Sequence, residues 1–248
     1  MSKLIVLSDL HLWGSADPLY RALLQFIDEN IHSGDKFFVV GDLFDLFVGP
    51  KTIFVERYSE LITKIQQRTD VEFFYIEGNH DFHLESIFEN SPHVKIYADS
   101  LYYEWNGKKF LFAHGDKINK RDIPYQMLRL FTRNLFSQCI IEAAPGKLIN
   151  FLGKSFSKAS RDYHPGPNSE IVTLFRNYAC EQLAHGLDVV VLGHSHYFDD
   201  IRFRIEGREG QYVNAGFPRM TRKYFEMSEA DPFFVTKNWE GLLSLTKS

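Results

Sequence analysis

The chain has 248 residues, 44% of them hydrophobic, and a formal net charge of −4 at pH 7. That length and apolar content are enough for one large α/β domain, with or without an insertion. The small negative charge gives no general attraction to nucleic acid, so no nucleic-acid partner is expected. The two cysteines, Cys139 and Cys180, lack CxxC spacing, and we expect free thiols rather than a disulfide framework.

The location of the protein is constrained by two features of the sequence. The first apolar strand begins within a few residues of Met1, which leaves no room for a cleavable signal sequence. No apolar run approaches the roughly 20 residues that span a bilayer. We therefore expect a soluble, cytoplasmic protein, which can still lie on the cytoplasmic face of an inner membrane as a peripheral protein.

Strands and helices alternate through the first third of the chain. The predicted elements are, in order, a strand over Lys3–Ser8, a helix from Pro18 to about Asn30 with Asp17 as its N-cap, a strand over Phe37–Val40, a helix over Ile53–Gln67 and a strand over Val71–Ile76. A β-α-β-α-β order is typical of a layered sheet with helices on its faces.

The remainder of the chain is richer in strands. Asn106-Gly107 predicts a type I′ turn, which joins two strands of a hairpin. The predicted elements are a strand over Val94–Tyr97, the hairpin strands Leu101–Trp105 and Lys108–Ala113, a helix from the N-cap Ser169 to about His185, a strand over Asp188–Leu192, and tail strands at Ile201–Ile205, Tyr212–Val213 and Phe233–Val235. The tail is predicted to form a second, antiparallel layer.

The stretch Lys117–Arg161 differs from its surroundings, because it holds nine basic and only two acidic residues. Its apolar residues recur at helical spacing on either side of Pro145-Gly146. We interpret residues 117–164 as a helical cap inserted into a core of residues 1–116 and 165–248. Such a cap could cover an anionic, acylated ligand or lie on an anionic membrane. The alternative is a helical pair packed on the core with a solvated basic face.

Polar side chains follow five apolar strands at the point where each strand ends. In open α/β sheets that edge collects ligands, and a buried carboxylate there is costly unless it is paired or binds metal. The five stretches are Asp9-Leu10-His11, Gly41-Asp42-Leu43-Phe44-Asp45, Gly78-Asn79-His80-Asp81, His114-Gly115-Asp116 and Gly193-His194-Ser195-His196. We predict that these stretches converge, with Asp42 bridging two metal ions.

The joint pattern points to metal-assisted chemistry on phosphate. Divalent transition metals favour mixed imidazole and carboxylate sites, and two such ions can clamp phosphate oxygens and lower the pKa of a water. A single histidine at a strand end is more often a surface residue, so the prediction depends on all five stretches together. The candidate ligands are Asp9, His11, Asp42, Asn79, His114, His194 and His196.

The stretches also contain residues without a predicted metal. We predict that His80 donates a proton to the leaving oxygen or stabilises the transition-state charge. Asp81 is predicted to hold the ring of His80 in one tautomer. Asp45 is predicted to be a turn or supporting residue, and Asp116 to support a ligand.

The five stretches resemble the calcineurin-like metallophosphoesterase superfamily. That resemblance implies a four-layer α/β/β/α sandwich with an inserted cap and a dinuclear centre, often of manganese. It further implies one ion held by Asp9, His11, Asp42 and His196, and a second held by Asp42, Asn79, His114 and His194.

Within the superfamily the chain is most similar to the UDP-2,3-diacylglucosamine hydrolases of lipid A synthesis. The shared features are Ser8-Asp9-Leu10-His11-Leu12, Gly41-Asp42-Leu43-Phe44-Asp45-Leu46-Phe47, His114-Gly115-Asp116 and a helical insertion before Gly193. The similarity implies hydrolysis of UDP-2,3-diacylglucosamine with two Mn²⁺ ions, which gives UMP and 2,3-diacylglucosamine 1-phosphate (lipid X). The candidate substrate contacts in the cap are Lys154, Lys158, Ser160 and Arg161.

One position departs from that family. Those enzymes usually have Arg after Gly-Asn, whereas this chain has His80, as in the wider superfamily. The sequence therefore leaves open a second hydrolase, a phosphodiesterase or nucleotide pyrophosphatase with another substrate. A non-catalytic interaction module on the same fold is a third possibility, but such proteins tend to lose metal ligands and none is missing here. The sequence makes no prediction of oligomeric state.

Overall fold

The computed structural model describes residues 2–134, 143–151 and 169–244. The four candidate substrate contacts of the cap, Lys154, Lys158, Ser160 and Arg161, lie outside the described residues. The division of the chain into a core and a cap over residues 117–164 therefore stays a prediction.

The secondary structure alternates between strands and helices, as the apolar pattern predicts. The helices are α1 (Pro18–Asn30), α2 (Thr52–Arg57), α3 (Ser59–Gln67), α4 (Ile123–Thr132), α5 (Ser169–Ala184), α6 (Pro218–Thr221) and α7 (Glu240–Ser244). The strands are β1 (Lys3–Leu7), β2 (Lys36–Val40), β3 (Phe47–Val48), β4 (Glu72–Ile76), β5 (Asp81–Phe82), β6 (Val94–Tyr97), β7 (Ser100–Trp105), β8 (Lys108–Ala113), β9 (Val189–Leu192), β10 (Phe198–Ile205), β11 (Arg208–Ala215), β12 (Lys223–Ser228) and β13 (Val235–Asn238). Residues 146–151 are also helical.

Two sheets carry the architecture. The first has the order β13-β12-β1-β2-β4-β6, and the second has the order β10-β11-β9-β8-β7. In the first sheet β1, β2, β4 and β6 are parallel, and in the second β8, β9 and β11 are parallel. The short strands β3 and β5 form a separate parallel pair.

Three apolar layers separate the helices and sheets. One face of the first sheet packs against α1, α2 and α3, and its other face packs against the second sheet. The outer face of the second sheet packs against α5. The described residues thus form the layer order α/β/β/α, which confirms the predicted fold class.

The contact between the sheets is aromatic at its centre. The Phe38 ring of β2 stacks on Phe74 of β4 at 4.5 Å and on Phe112 of β8 at 4.2 Å between ring centroids. Because Phe38 is fully buried, this stack fixes how the second sheet lies on the first.

The strand ends of both sheets meet at one edge. The amide of Asp9 donates to the carbonyl of Gly41 at 3.0 Å, which joins the segments that follow β1 and β2. The amide of Gly193 donates to the carbonyl of His114 at 3.0 Å, which joins the segments that follow β8 and β9. Since parallel strands end on the same side of a sheet, the polar stretches converge as predicted.

The predicted elements are confirmed in most places, and they differ from the structure in the second helix and in the tail. The helix from Pro18 to Asn30 has its predicted cap, since Asp17 accepts from the amide of Leu19 at 3.0 Å. The predicted helix over Ile53–Gln67 is instead two helices that meet at Tyr58. The fully buried Tyr58 has its hydroxyl 2.7 Å from the carbonyl of Leu12, an anchor that periodicity cannot reveal.

The tail does not form one antiparallel layer. The hairpin of β10 and β11 extends the second sheet, whereas β12 and β13 extend the first, with β12 antiparallel to β1. The predicted elements do not include β12, and the predicted strand over Phe233–Val235 is displaced, since β13 begins only at Val235. The side chains of β12 alternate poorly between buried and exposed, because Tyr224 and Phe225 are buried on opposite faces of the sheet.

The described helices give no sign of a bilayer span. Within residues 2–134, 143–151 and 169–244, none combines the length and the apolar character that crossing a membrane requires.

Truncating the stacked ring between the sheets tests this packing. We expect Phe38→Ala to lower the free energy of unfolding by about 3–5 kcal/mol, because it leaves a cavity between Phe74 and Phe112. Urea denaturation followed by circular dichroism measures the change. The control is Tyr102→Ala. Because Tyr102 is 66% exposed, removing its side chain should lower the free energy of unfolding only slightly. Equal stability of the two variants would contradict the described packing.

Candidate metal centre

The backbone at the strand ends is strained in a consistent way. Asp9, His11, Asp42, His194 and His196 all have positive φ values, between 48° and 63°. Non-glycine residues seldom adopt this left-handed conformation, and such strain clusters at functional sites where the surrounding structure enforces it. All five residues follow strand ends, and their side chains belong to the cluster at that edge.

Two glycines allow the stretches to approach each other. A Cβ atom on Gly41, which has φ +79°, would lie 2.3 Å from Nδ1 of His114. A Cβ atom on Gly78 would lie 2.1 Å from Oδ1 of Asp42. Neither position can accept a side chain unless the strand ends separate, so the glycines are a steric requirement of the centre.

The carboxylate of Asp42 lies at the middle of the cluster. Its Oδ2 atom is 3.4 Å from Nε2 of His114, 3.8 Å from Nε2 of His11 and 4.0 Å from Nε2 of His80. Its Oδ1 atom accepts from the amide of His80 at 2.9 Å. Asp42 therefore faces imidazoles from three other strand ends, as expected of a bridging residue.

A second group of donors lies beside it. Nε2 of His11 is 3.1 Å from Nε2 of His196, and Nε2 of His196 is 3.4 Å from Oδ1 of Asp9. Both oxygens of Asp9 accept from the amide of His194 at 3.0 Å. Two imidazole nitrogens at this separation can direct their lone pairs at one shared cation.

His114 and Asn79 complete the other side. Nδ1 of His114 is 3.0 Å from the carbonyl of Val40, which can only accept, so Nδ1 carries a proton and Nε2 faces the cluster. That Nε2 atom is 3.1 Å from Oδ1 of Asn79. The same ring forms a T-shaped contact with His194 at 5.0 Å between centroids.

The electrostatics divide the imidazoles into two kinds. Burial lowers the pKa of His11 to about 3 and that of His194 to about 4, which keeps both rings neutral. Burial opposes a proton on His114 too, but the adjacent Asp42 carboxylate outweighs it and raises the pKa of His114 to about 10. Burial would raise the pKa of Asp42, yet the surrounding imidazoles, His114 first, hold it well below its usual value.

His80 lies where the sequence predicts it, but its support differs. Nδ1 of His80 is 2.9 Å from the carbonyl oxygen of Asp45, while Nε2 faces Asp42. The predicted role of Asp81 in holding this ring is therefore wrong, because the carbonyl of Asp45 occupies that position.

Asp81 instead fixes the backbone of the site. Its carboxylate accepts from the amides of Asp42 at 3.0 Å, Gly78 at 2.8 Å and Phe44 at 3.2 Å, and from the hydroxyl of Tyr75 at 2.5 Å. These bonds tie together the segments that follow β2 and β4. Burial and the nearby Asp42 raise the pKa of Asp81 to about 6.

Helix α4 reaches the centre through polar side chains. Asp116 accepts from the hydroxyl of Tyr125 at 2.7 Å and from Nε of Arg129 at 2.5 Å. Arg133 donates to the carbonyl of Gly78 and lies 3.3 Å from Glu77. The basic side of this helix therefore faces carboxylates and carbonyls next to the candidate ligands, rather than solvent.

Two supporting residues from the tail were not found by sequence reasoning. Asn214 of β11 donates to the carbonyl of Gly193 at 2.8 Å and lies 3.0 Å from the hydroxyl of Ser195. Arg219 of α6 donates to the carbonyl of His11 at 3.2 Å and to the carboxylate of Asp17 at 2.7 Å. No sequence motif marks either residue, because both act through main-chain carbonyls of distant segments.

The cluster fits divalent cations. Among the residues that the structure describes, three groups of side chains have ligand atoms within 4.8 Å of one another: Asp9, His11 and His196; His11, Asp42 and His80; and Asp42, His114 and His194. The first and third groups contain six of the seven candidate ligands, and the second group brings His80 beside His11 and Asp42. Metal binding requires neutral imidazoles, a state that burial already favours at His11 and His194, whereas an ion beside Asp42 would have to displace the proton of His114. The assignment of individual ligands stays a prediction.

Crowding at Gly41 can be separated from backbone strain. Gly41→Ala and Gly107→Ala place alanine at positions with φ +79° and +72°, but only the first meets neighbouring atoms. We expect Gly41→Ala to lose bound metal and Gly107→Ala to retain it, since only the former displaces His114. Metal content after dialysis, measured by mass spectrometry, gives the result. Full metal content in both variants would contradict the described site.

Several known proteins are similar to this chain. The family model for calcineurin-like phosphoesterases matches residues 2–198. A UDP-2,3-diacylglucosamine hydrolase of Psychromonas ingrahamii is 21% identical over 230 residues, covering 92% of this chain and 94% of that protein. The UDP-2,3-diacylglucosamine hydrolase of Azotobacter vinelandii is 26% identical over 215 residues, which cover 86% of this chain and 89% of that protein. A solved archaeal phosphodiesterase has 15% identity and a TM-score of 0.46, covering 95% and 99%.

The family match spans most of the chain and includes all five strand-end stretches. It confirms the resemblance predicted from those stretches and the enzyme class of metal-dependent hydrolase. This chain belongs to the calcineurin-like phosphoesterase family.

Proposed function

We propose that this protein is a two-metal hydrolase that cleaves the pyrophosphate of UDP-2,3-diacylglucosamine to UMP and 2,3-diacylglucosamine 1-phosphate. The observation that carries the proposal is the Asp42 carboxylate, which faces imidazoles from three other strand ends. The choice of substrate comes from the names of the relatives, and their similarity over most of this chain supports assigning the same substrate to it.

The donors divide into two sets that share one carboxylate. The first ion would be held by Asp9, His11, Asp42 and His196, and the second by Asp42, Asn79, His114 and His194. We take Mn²⁺ as the metal, because the resembled family often uses it and because carboxylate and amide oxygens, such as those of Asp42 and Asn79, are ligands that suit it. Bound at such a pair of sites, divalent ions neutralise phosphate oxygens and lower the pKa of the attacking water.

The chain's own residues orient the reaction. The attacking water forms a bond to the α-phosphorus, and the bond from that phosphorus to the bridging oxygen breaks. Nδ1 of His80 donates to the carbonyl of Asp45, and this leaves Nε2 facing the site. When the ring is protonated, Nε2 can donate a proton to the leaving oxygen. Asp81 holds the segments that carry Asp42 and His80 in this arrangement.

The surface of α4 supports an acylated substrate. Ile123, Met127, Leu130 and Phe131 have side chains that are 62–68% exposed. Arg129 and Arg133, on the same helix, bind the core beside the site. We propose that this apolar face covers acyl chains as part of a cap over residues 117–164. Lys154, Lys158, Ser160 and Arg161 are proposed to contact the substrate.

The same region supports a position on the inner membrane. An apolar face beside an excess of basic residues favours peripheral binding to anionic lipid, where an acylated substrate would be found. We propose that the protein acts as a peripheral protein on the cytoplasmic face.

One observation favours a second candidate function. His80 stands where the UDP-2,3-diacylglucosamine hydrolases usually have Arg, so a phosphodiesterase or nucleotide pyrophosphatase with an unacylated substrate is the alternative. It predicts efficient turnover of simple phosphodiesters and no preference for acylated substrates.

The decisive assay is UMP release from UDP-2,3-diacylglucosamine by the Mn²⁺-loaded protein. We expect release that is lost in Asp42→Ala, because the variant removes the carboxylate shared by both donor sets. Asp28→Asn is the control, since Asp28 forms an ion pair with Lys64 on the protein surface. Fully loaded protein that releases no UMP yet hydrolyses unacylated esters would replace this proposal with the alternative.

The role of His80 can be separated from metal binding. We expect His80→Gln to lower kcat by about 10²- to 10⁴-fold, the usual contribution of general acid catalysis, with metal content unchanged. His185→Gln, on an exposed histidine, is the matched control and should leave kcat unchanged. Loss of metal from His80→Gln would instead make His80 a ligand and refute its catalytic role.

A further inference from the structure

Trp13 is an exposed aromatic side chain beside the metal centre that has no part in the reaction described above. It follows His11 by two residues on the segment between β1 and α1, and its side chain is 60% exposed. The guanidinium of Arg219 lies over the indole, 4.7 Å from the ring centroid. One face of the ring is therefore backed by a cation, and much of the remainder meets solvent.

This arrangement is held rigidly. Nη1 and Nη2 of Arg219 donate to the two carboxylate oxygens of Asp17 at 3.0 and 2.7 Å, and the side chain of Asp17 is fully buried. The amide of Trp13 donates to the same carboxylate at 3.2 Å. A bidentate Arg–carboxylate pair fixes the plane of the guanidinium, so Trp13 has a preformed support.

Arg219, which supports Trp13, and its neighbour Phe217 also contact candidate metal ligands. Nη2 of Arg219 is 3.2 Å from the carbonyl of His11. Phe217, two residues before Arg219, stacks on His196 at 5.2 Å and contacts the ring of His11 edge-on at 5.9 Å. We name Trp13, Phe217 and Arg219 the aromatic platform.

The aromatic platform and α4 flank different parts of the centre. The platform contacts His11 and His196, which belong to the first donor set. Helix α4 contacts Asp116 and the carbonyl of Gly78, which lie next to His114 and Asn79 of the second set. In an in-line cleavage the attacking water lies opposite the leaving oxygen of the acyl sugar phosphate, and the nucleoside is joined to the phosphorus through a different oxygen. The acyl sugar and the nucleoside therefore leave the phosphorus in different directions. If α4 covers the acyl sugar, the aromatic platform is available to the other group.

We propose that the aromatic platform binds the planar base of the nucleotide whose phosphate lies at the metal centre, with the base stacked on Trp13. This inference rests on the proposed function for its choice of uracil. An indole face can stack on any base, because every base has a π-face, and the cation–π contact with Arg219 holds the ring of Trp13 in place.

The competing ligand for Trp13 is an acyl chain. Arg57 is 2.9 Å from Oδ1 of Asn150 in the 143–151 segment, and it also lies against Gly14, the residue after Trp13. Phe151 of that segment is 66% exposed. The test must therefore separate a base from a hydrocarbon chain.

Titration calorimetry on the Mn²⁺-loaded, full-length protein makes that separation. The probes are UMP, glucosamine 1-phosphate, which lacks a base, and 2,3-diacylglucosamine 1-phosphate. We expect Trp13→Ala to weaken UMP binding about 5- to 150-fold, the range that one stacked base contributes. Trp13→Phe should weaken it less, and neither sugar phosphate should be affected.

The control variant is Tyr102→Ala, which removes an exposed aromatic side chain of β7 and should leave all three affinities unchanged. Because Trp13 is mostly exposed, its variants should keep the wild-type melting temperature. UMP affinity that is equal in wild type and Trp13→Ala, or no UMP binding to the wild type, would overturn the proposal. Weakened binding of the diacyl compound alone would assign Trp13 to the acyl chains.

Failure of the base-binding proposal can be distinguished from failure of the proposed function. A protein that binds UMP through Trp13 but releases no UMP from UDP-2,3-diacylglucosamine has the aromatic platform and a different substrate. One that releases UMP while Trp13→Ala binds UMP normally has the proposed function without this platform.

Discussion

The buried carboxylate of Asp42 is the constraint on which the rest of the structure depends. A charge at this depth is very costly without compensation, and here it is surrounded by imidazoles from several strand ends. The left-handed backbone at Asp9, His11 and His194 and the missing side chain at Gly41 all serve that convergence. The strain is tolerated because both sheets hold the strand ends in place.

The packing of the two sheets sets the dimensions of the site. The candidate ligands of the first sheet follow β1, β2 and β4, and those of the second follow β8 and β9. The stack of Phe38 on Phe112 joins the two sheets through their middle. A change in that contact would move His114 relative to Asp42, since each lies at the end of one of the stacked strands. The apolar core and the polar centre are therefore parts of one rigid arrangement.

The supports of the centre come from segments that are remote in sequence. Arg129 of helix α4 donates to Asp116. Asn214 and Arg219 of the tail donate to main-chain carbonyls of other strand-end segments. These side chains hold the backbone of the candidate ligands without being candidates themselves. Such supporting contacts orient a metal site as strongly as its ligands do, and they make the site depend on the whole chain.

Local patterns in the sequence were enough to predict the layered α/β class, most strand positions, helix α1 with its Asp17 cap, and the seven candidate ligands, because short apolar runs that end in Asp, His or Asn are local signals. Three features could be seen only in the folded chain: the break at Tyr58, the division of the tail between two sheets, and the carbonyl of Asp45 rather than Asp81 beside His80. The tertiary structure likewise decided the positions of Arg219 and Trp13. These features depend on contacts between segments far apart in the chain, and local periodicity carries no information about which distant segments meet.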